Sequence, residues 1–132
     1  YSPPSLGGLV FSQWEQDGTA DRIADEVIAE SEARTRLATS LLGKAVVKPG
    51  AGRSLHVWMP MPMLEAERLS ARALRASIAL TPPDGPIVDA TAPSGVRLCL
   101  GGPRSREALE KALHDIATML APAGGSAARG LL

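Results

Sequence analysis

The sequence is poor in aromatic residues, which make up 3% of its 132 residues. Proteins that bind single-stranded nucleic acid stack the bases on aromatic side chains, so this class of function is not expected. Acidic and basic residues are equal in number, 14 of each, so the chain has no net charge with which to attract a polyanion. We therefore expect no direct nucleic-acid contact by this chain.

Cysteine and histidine are scarce: the chain has one cysteine, Cys99, and two histidines, His56 and His114. A lone cysteine cannot form an internal disulfide, which favours a reducing, cytoplasmic location. The two histidines lie far apart in the sequence, so converging ligands are not indicated and no metal site is expected. The simplest interpretation makes His114 a solvated surface group, places His56 over a face of the sheet and makes Cys99 a buried, unreactive thiol.

Long apolar runs are also missing, and none approaches the roughly 20 residues that span a bilayer. The composition, 45% hydrophobic and 21% charged, is that of a globular chain with an aliphatic core. Its length fits one ordinary domain or two very small ones. The chain begins at Tyr1 rather than Met, and we expect it to be a fragment of a longer protein.

Apolar residues at helical spacing predict two helices at the start of the chain. The first covers residues 5–16, and the second covers residues 19–42, with Thr19 as its N-cap and Gly43 just beyond its end. The second helix would be about 36 Å long at 1.5 Å per residue. A helix of that length is expected to project beyond its own domain or to brace two domains.

The rest of the chain alternates between strand and helix patterns. Strands are predicted over residues 54–59, 78–80 and 96–100, with an edge strand at 87–88. Helices are predicted over residues 63–77 and from the N-cap Ser105 to Pro122. The expected fold class is therefore α/β, in a two-layer α+β arrangement: a small open sheet of about three strands, packed with helices and preceded by a long helix.

Three segments are expected along the chain. Residues 1–44 form a helical segment that includes the long connecting helix, and residues 45–121 form the α/β domain. Residues 122–132 have no pattern that could bury surface, so a disordered tail is expected.

Arg97 is the candidate binding residue. In the strand over 96–100, Val96 and Leu98 lie on one face, and Arg97 and Cys99 lie on the other. A guanidinium on the second face needs an anion, and its planar fork fits a carboxylate. Two interpretations stay open: a structural salt bridge, or a site for a small molecule that carries a carboxylate.

Three segments, in this order and with helices between them, resemble the C-terminal small domain of fold type I pyridoxal-phosphate aminotransferases: Ser54-Leu-His-Val-Trp-Met-Pro-Met-Pro, Ile78-Ala-Leu-Thr-Pro and Gly95-Val-Arg-Leu-Cys-Leu-Gly. The segment Trp14-Glu-Gln-Asp-Gly-Thr-Ala-Asp and the long helix after it resemble the aminotransferase-like half of GntR regulators of the MocR type. The resemblance covers roughly residues 5–121. It departs from the family at Pro82-Pro-Asp-Gly-Pro-Ile, where the family has Pro-Gly and an aromatic residue.

The resemblance implies that Arg97 corresponds to the arginine that binds the substrate α-carboxylate. The family's Schiff-base lysine and the aspartate that pairs with the cofactor lie in a large domain. Lys44, Lys48 and Lys111 do not lie in segments that resemble the cofactor-lysine motif. Pyridoxal 5'-phosphate is therefore implied for the parent protein, whereas this chain is expected to hold no cofactor and to be inactive in isolation.

The leading hypothesis is an effector-binding and dimerisation subdomain of a MocR-type transcriptional regulator. The implied partners are a pyridoxal-phosphate-binding large domain, a DNA-binding winged-helix domain, a second copy in a homodimer and an amino-acid-like or carboxylate effector. One alternative is the small domain of a true aminotransferase. Another is an interaction module that binds no ligand, in which Arg97 is purely structural.

Overall fold

The computed structural model describes residues 5–47, 49–50, 54–81, 85, 91 and 93–121. Helices and strands alternate after two N-terminal helices. In chain order the elements are α1 (Ser5–Gln16), α2 (Thr19–Leu42), a 3₁₀ turn (Gly43–Ala45), β1 (His56–Pro60), α3 (Met63–Arg75), β2 (Gly95–Cys99) and α4 (Arg106–Leu120).

The two N-terminal helices have the predicted bounds, but the cap between them differs. Helix α2 begins at Thr19, and its N-cap is Gly18, which has a left-handed φ of 76°. The carboxylate of Asp17 accepts a hydrogen bond of 3.0 Å from the Thr19 backbone N–H. The prediction that Thr19 is the N-cap is therefore wrong. The predicted end is confirmed, because Gly43 follows Leu42 with a φ of 53°.

Strands β1 and β2 form an antiparallel sheet in which His56 lies opposite Cys99 and Trp58 lies opposite Arg97. The predicted alternation is confirmed, because every second residue points toward the core. The buried hydrophobic residues of the two strands and of the position after β2 are Val57, Met59, Val96, Leu98 and Leu100.

The sheet has two strands among the described residues, and the predicted strand over residues 78–80 is not formed. Beside β2 there is only an isolated bridge between Thr81 and Arg97. Few residues of this segment can pair with β2, because Ser77 before it has a left-handed φ of 62° and Pro82 after it has no N–H donor. The predicted edge strand at 87–88 lies outside the described residues.

Helix α3 ends at Arg75, two residues before its predicted end. The Ser77 and Ile78 N–H groups then bond to the Leu74 and Ala73 carbonyls, at 3.0 and 2.8 Å. This pattern is a Schellman motif, in which the residue with positive φ is usually glycine. The left-handed Ser77 therefore ends the helix and turns the chain toward β2.

The described helices cover one face of the sheet and do not cover the other, here called the open face, so the predicted two-layer α/β fold is confirmed. The core residues from the helices are Ala38 and Leu42 of α2, Ala66 and Leu69 of α3, and Leu109, Leu113 and Ile116 of α4. The predicted cap of α4 is also confirmed, because the Ser105 side chain accepts a hydrogen bond of 3.2 Å from the Ala108 N–H. Pro122 and the predicted tail over residues 122–132 lie outside the described residues.

Candidate functional site

Arg97 lies in the middle of the open face of the sheet. Its neighbours along β2, Val96 and Leu98, are buried, whereas Arg97 is exposed. Across the sheet it is paired in register with Trp58 on one side and bridged to Thr81 on the other. The strand alternation that predicted its orientation is therefore correct, and pairing on both sides holds its backbone.

No ion pair joins Arg97 to a carboxylate in the part of the chain that the structure describes. An arginine is charged at physiological pH, and its planar fork can donate two parallel hydrogen bonds to a carboxylate. The structural salt bridge that the sequence left open is thus not formed with any described residue. Among the described residues, the guanidinium therefore has no carboxylate partner.

Trp58 forms the aromatic part of this face, beside Arg97. It is half-buried, and a glycine, Gly95, provides the room for its ring. A Cβ added at Gly95 would lie 2.6 Å from the Trp58 Cζ2 atom and would also meet the Met59 carbonyl oxygen. The absent side chain therefore allows the indole to lie against the start of β2. Sequence reasoning missed this role of Gly95, because only the strand register brings the two residues together.

His56 and Cys99 are the other register pair on the open face, and both are exposed. The expectation that Cys99 is buried is therefore wrong: it has the outward orientation of Arg97, two positions before it. His114 is exposed on α4, as expected. The described residues contain no group of three or more histidine, cysteine, aspartate or glutamate side chains that could hold a metal ion.

A pocket of about 400 Å³ lies between α4, the last residues of β2 and the segment before Thr81. Its walls are mainly apolar and include Ile78, Leu80, Leu100, Leu113 and Ile116. Arg97 does not line this pocket. The candidate anion-binding group and the apolar pocket are therefore separate features of the fold.

A second arginine, Arg34 of α2, was not singled out from the sequence, and among the described residues it is the charged residue that is buried. It is 8% exposed. Its Nη1 atom donates hydrogen bonds to the carbonyl oxygens of Leu100, at 2.7 Å, and Pro103, at 2.9 Å. These bonds attach the long helix to the turn that follows β2.

Glu30 completes this network from one turn earlier in α2. Its carboxylate accepts hydrogen bonds from Arg106 of α4, at 2.6 Å, and from Arg34, at 2.7 Å. The hydrogen bonds from Arg106 and then Arg34 lower the pKa of Glu30 from 4.5 to about 2. In return, the hydrogen bond to Glu30 raises the pKa of Arg106. The network fixes three elements, which is a structural role.

The described lysines do not fit an aldehyde cofactor, which needs an amine in a pocket together with phosphate and ring partners. Lys44 is exposed on the turn after α2. Lys111 is exposed on α4, and its Nζ atom lies 2.8 Å from an Asp115 carboxylate oxygen. Lys48 lies outside the described residues. No step that depends on pyridoxal phosphate is therefore assigned to this chain.

No described helix combines the length and apolar character needed to cross a bilayer. Comparisons with protein families, curated proteins and solved structures find no match to this sequence.

Proposed function

We propose that this chain is the aminotransferase-like, effector-binding and dimerisation subdomain of a cytoplasmic GntR-family regulator of the MocR type, without turnover of its own. In this proposal Arg97 binds the carboxylate of an amino-acid-like effector. The chain acts as a homodimer, together with a large domain and a DNA-binding winged-helix domain. Pyridoxal phosphate belongs to the large domain of the parent protein.

The observation that supports this proposal is the exposed guanidinium of Arg97, which has no carboxylate partner among the described residues. An exposed arginine alone is common. Arg97, however, sits at the centre of a sheet face with a half-buried indole in the neighbouring strand. On such a face the guanidinium can bind the carboxylate of an amino acid, and the indole provides an apolar surface for its side chain.

Fluorescence of Trp58 provides the test, because it reports from the residue paired with Arg97. The chain has two tryptophans, so a Trp14→Phe background leaves Trp58 as the only one. We expect L-alanine or L-glutamate to change this fluorescence in a saturable way, and L-alaninamide, which lacks the carboxylate, to have no such effect. Arg97→Gln should weaken binding about 10- to 100-fold, the loss expected for a charge-assisted pair.

The matched control is Arg68→Gln, which removes an exposed arginine from α3 and should leave the titration unchanged. An equal response to the amide, or unchanged binding by Arg97→Gln, would show that Arg97 does not bind the carboxylate. The absence of a saturable response to both amino acids would also overturn the effector site and favour an interaction module.

A further inference from the structure

Four residues of the open face lie side by side in one row across the sheet. Trp58 and Arg97 are paired in the register of β1 and β2. Isolated antiparallel bridges add Val47 beside Trp58 and Thr81 beside Arg97. Residues directly opposite each other in antiparallel strands have their side chains on the same face. In spatial order the row is Val47, Trp58, Arg97 and Thr81, so two apolar side chains are followed by two polar ones.

The burial of neighbouring residues shows that the apolar half of this row faces away from the core. Val46 is buried, whereas Val47 is 53% exposed. Trp58 lies between the buried residues Val57 and Met59. Among the described residues, the hydrophobic core and the side chains that pack against it do not include Val47 or Trp58. These two side chains are therefore apolar groups that the core does not use.

The backbone hydrogen bonds place Trp58 and Arg97 in the closer of the two kinds of antiparallel pair. The Leu100 N–H donates to the Leu55 carbonyl at 2.6 Å, and hydrogen-bonded pairs alternate with non-hydrogen-bonded pairs along such a ladder. Trp58 and Arg97 lie three positions farther along. The Trp58 carbonyl accepts instead from the Val47 N–H, at 2.7 Å. Trp58 and Arg97 thus form a non-hydrogen-bonded pair, whose Cα atoms are about 4.5 Å apart.

Gly95 determines where the indole of Trp58 lies. A Cβ added at Gly95 would be 2.6 Å from the Trp58 Cζ2 atom and 2.8 Å from its Cε2 atom. Both atoms belong to the six-membered ring of the indole, so this ring lies against the Gly95 backbone. Trp58 nevertheless keeps a partly exposed surface. The indole is therefore held in place by the strand beside it and is still accessible to a ligand.

We propose that the effector of this site is an aromatic carboxylate, such as an amino acid with an aromatic side chain. The inference rests on the proposed function and specifies the class of effector that Arg97 binds. The effector lies across the strands, and its carboxylate accepts hydrogen bonds from the Arg97 guanidinium and the Thr81 hydroxyl. Its ring packs on Trp58 and Val47. An aliphatic side chain would gain from burial alone, whereas an aromatic ring also gains from contact with the indole.

An NMR titration of the full chain, followed by amide chemical shifts, tests this without relying on tryptophan fluorescence. The ligands are L-phenylalanine, cyclohexyl-L-alanine, which has an apolar ring of similar size without aromatic character, and L-alanine. We expect L-phenylalanine to bind about 10-fold more tightly than L-alanine, because its ring buries more apolar surface. It should bind about 2- to 10-fold more tightly than cyclohexyl-L-alanine, which is the gain expected for a pair of aromatic rings.

Substitutions of Trp58 test whether the indole is the source of this preference. Trp58→Leu should make L-phenylalanine and cyclohexyl-L-alanine bind equally well, whereas Trp58→Phe keeps an aromatic ring and should keep the preference. The matched control is Trp14→Leu, the same change at a 42% exposed tryptophan of α1, which should leave all affinities unchanged. Circular dichroism should show the same helicity for all the variants.

The comparison of ligands on the unchanged chain does not depend on the folding of any variant. Saturable binding in which L-phenylalanine has no advantage over cyclohexyl-L-alanine would overturn the aromatic class and leave the proposed function standing. A preference that survives in folded Trp58→Leu would also overturn it, because the ring contact would then be elsewhere. The absence of saturable binding by all three amino acids would overturn the proposed function itself, so the two failures are distinguishable.

Discussion

Replacing Arg34 by alanine removes the guanidinium that connects α2 to the turn after β2. Arg34 is nearly buried, and its side chain donates to Glu30 and to the carbonyls of Leu100 and Pro103. Alanine cannot replace any of these three bonds. The Leu100 carbonyl belongs to a residue that is only 1% exposed, which limits its access to water.

The expected loss follows from the cost of leaving buried acceptors without donors. A hydrogen bond from a charged donor contributes about 1.5–3 kcal/mol, and Arg34→Ala removes two such bonds to carbonyls. Partial hydration of the Pro103 carbonyl offsets some of this loss, so we expect the free energy of unfolding to fall by about 3 kcal/mol. That is a large part of the 5–15 kcal/mol that stabilises a typical domain.

Urea denaturation followed by circular dichroism measures this change, and Arg36→Ala is its matched control. Arg36 is two residues away on the same helix, and its side chain is 70% exposed, with Glu32 3.9 Å away. Its replacement should cost no more than about 0.5 kcal/mol. If Arg34→Ala costs less than about 1 kcal/mol, or no more than Arg36→Ala, the reasoning from buried acceptors is refuted.

Two further predictions concern the same network and the open face. The pKa of Glu30 is lowered from 4.5 to about 2, so its ionised form stabilises the fold above pH 4.5 and that stability is lost as the pH falls toward 2. The urea midpoint should therefore fall more steeply over this window in the wild type than in Glu30→Gln, and equal slopes would contradict the assignment. Gly95→Ala should destabilise the fold by about 1–3 kcal/mol, because its Cβ would meet Trp58. Gly8→Ala, where the Cβ meets nothing within 4 Å, should be neutral or slightly stabilising, and equal effects at the two glycines would exclude the clash.

Features that depend on local pattern could be predicted from the sequence. The bounds of α1 and α2 follow from apolar spacing, and the cap of α4 follows from Ser105. The outward orientation of Arg97 follows from strand alternation, which has a period of two whatever the partner strand is. The projection of α2 also follows from length alone, because a small core cannot cover 24 helical residues.

Features that depend on neighbours distant in the sequence could not be predicted. The residues over 78–80 have the alternation of a strand, but a strand forms only where its backbone can hydrogen-bond to the edge of a sheet. Among the described residues, this segment makes only an isolated bridge, between Thr81 and Arg97. Thr19 has the residue type of an N-cap, but Gly18 is the N-cap, with a left-handed backbone that residue type alone does not reveal.

The contrast between Arg34 and Arg36 shows why the network was missed. Each follows a glutamate by four residues on α2, so the two pairs are equivalent at the level of the sequence. What separates them is the turn after β2, which lies against one side of α2 and brings two carbonyls to Arg34. The same contact makes Glu30 reachable from Arg106 of α4. An arginine with a fixed structural role is therefore recognised by the acceptors that tertiary packing supplies, and Arg97, which has no carboxylate partner among the described residues, differs from it in that property.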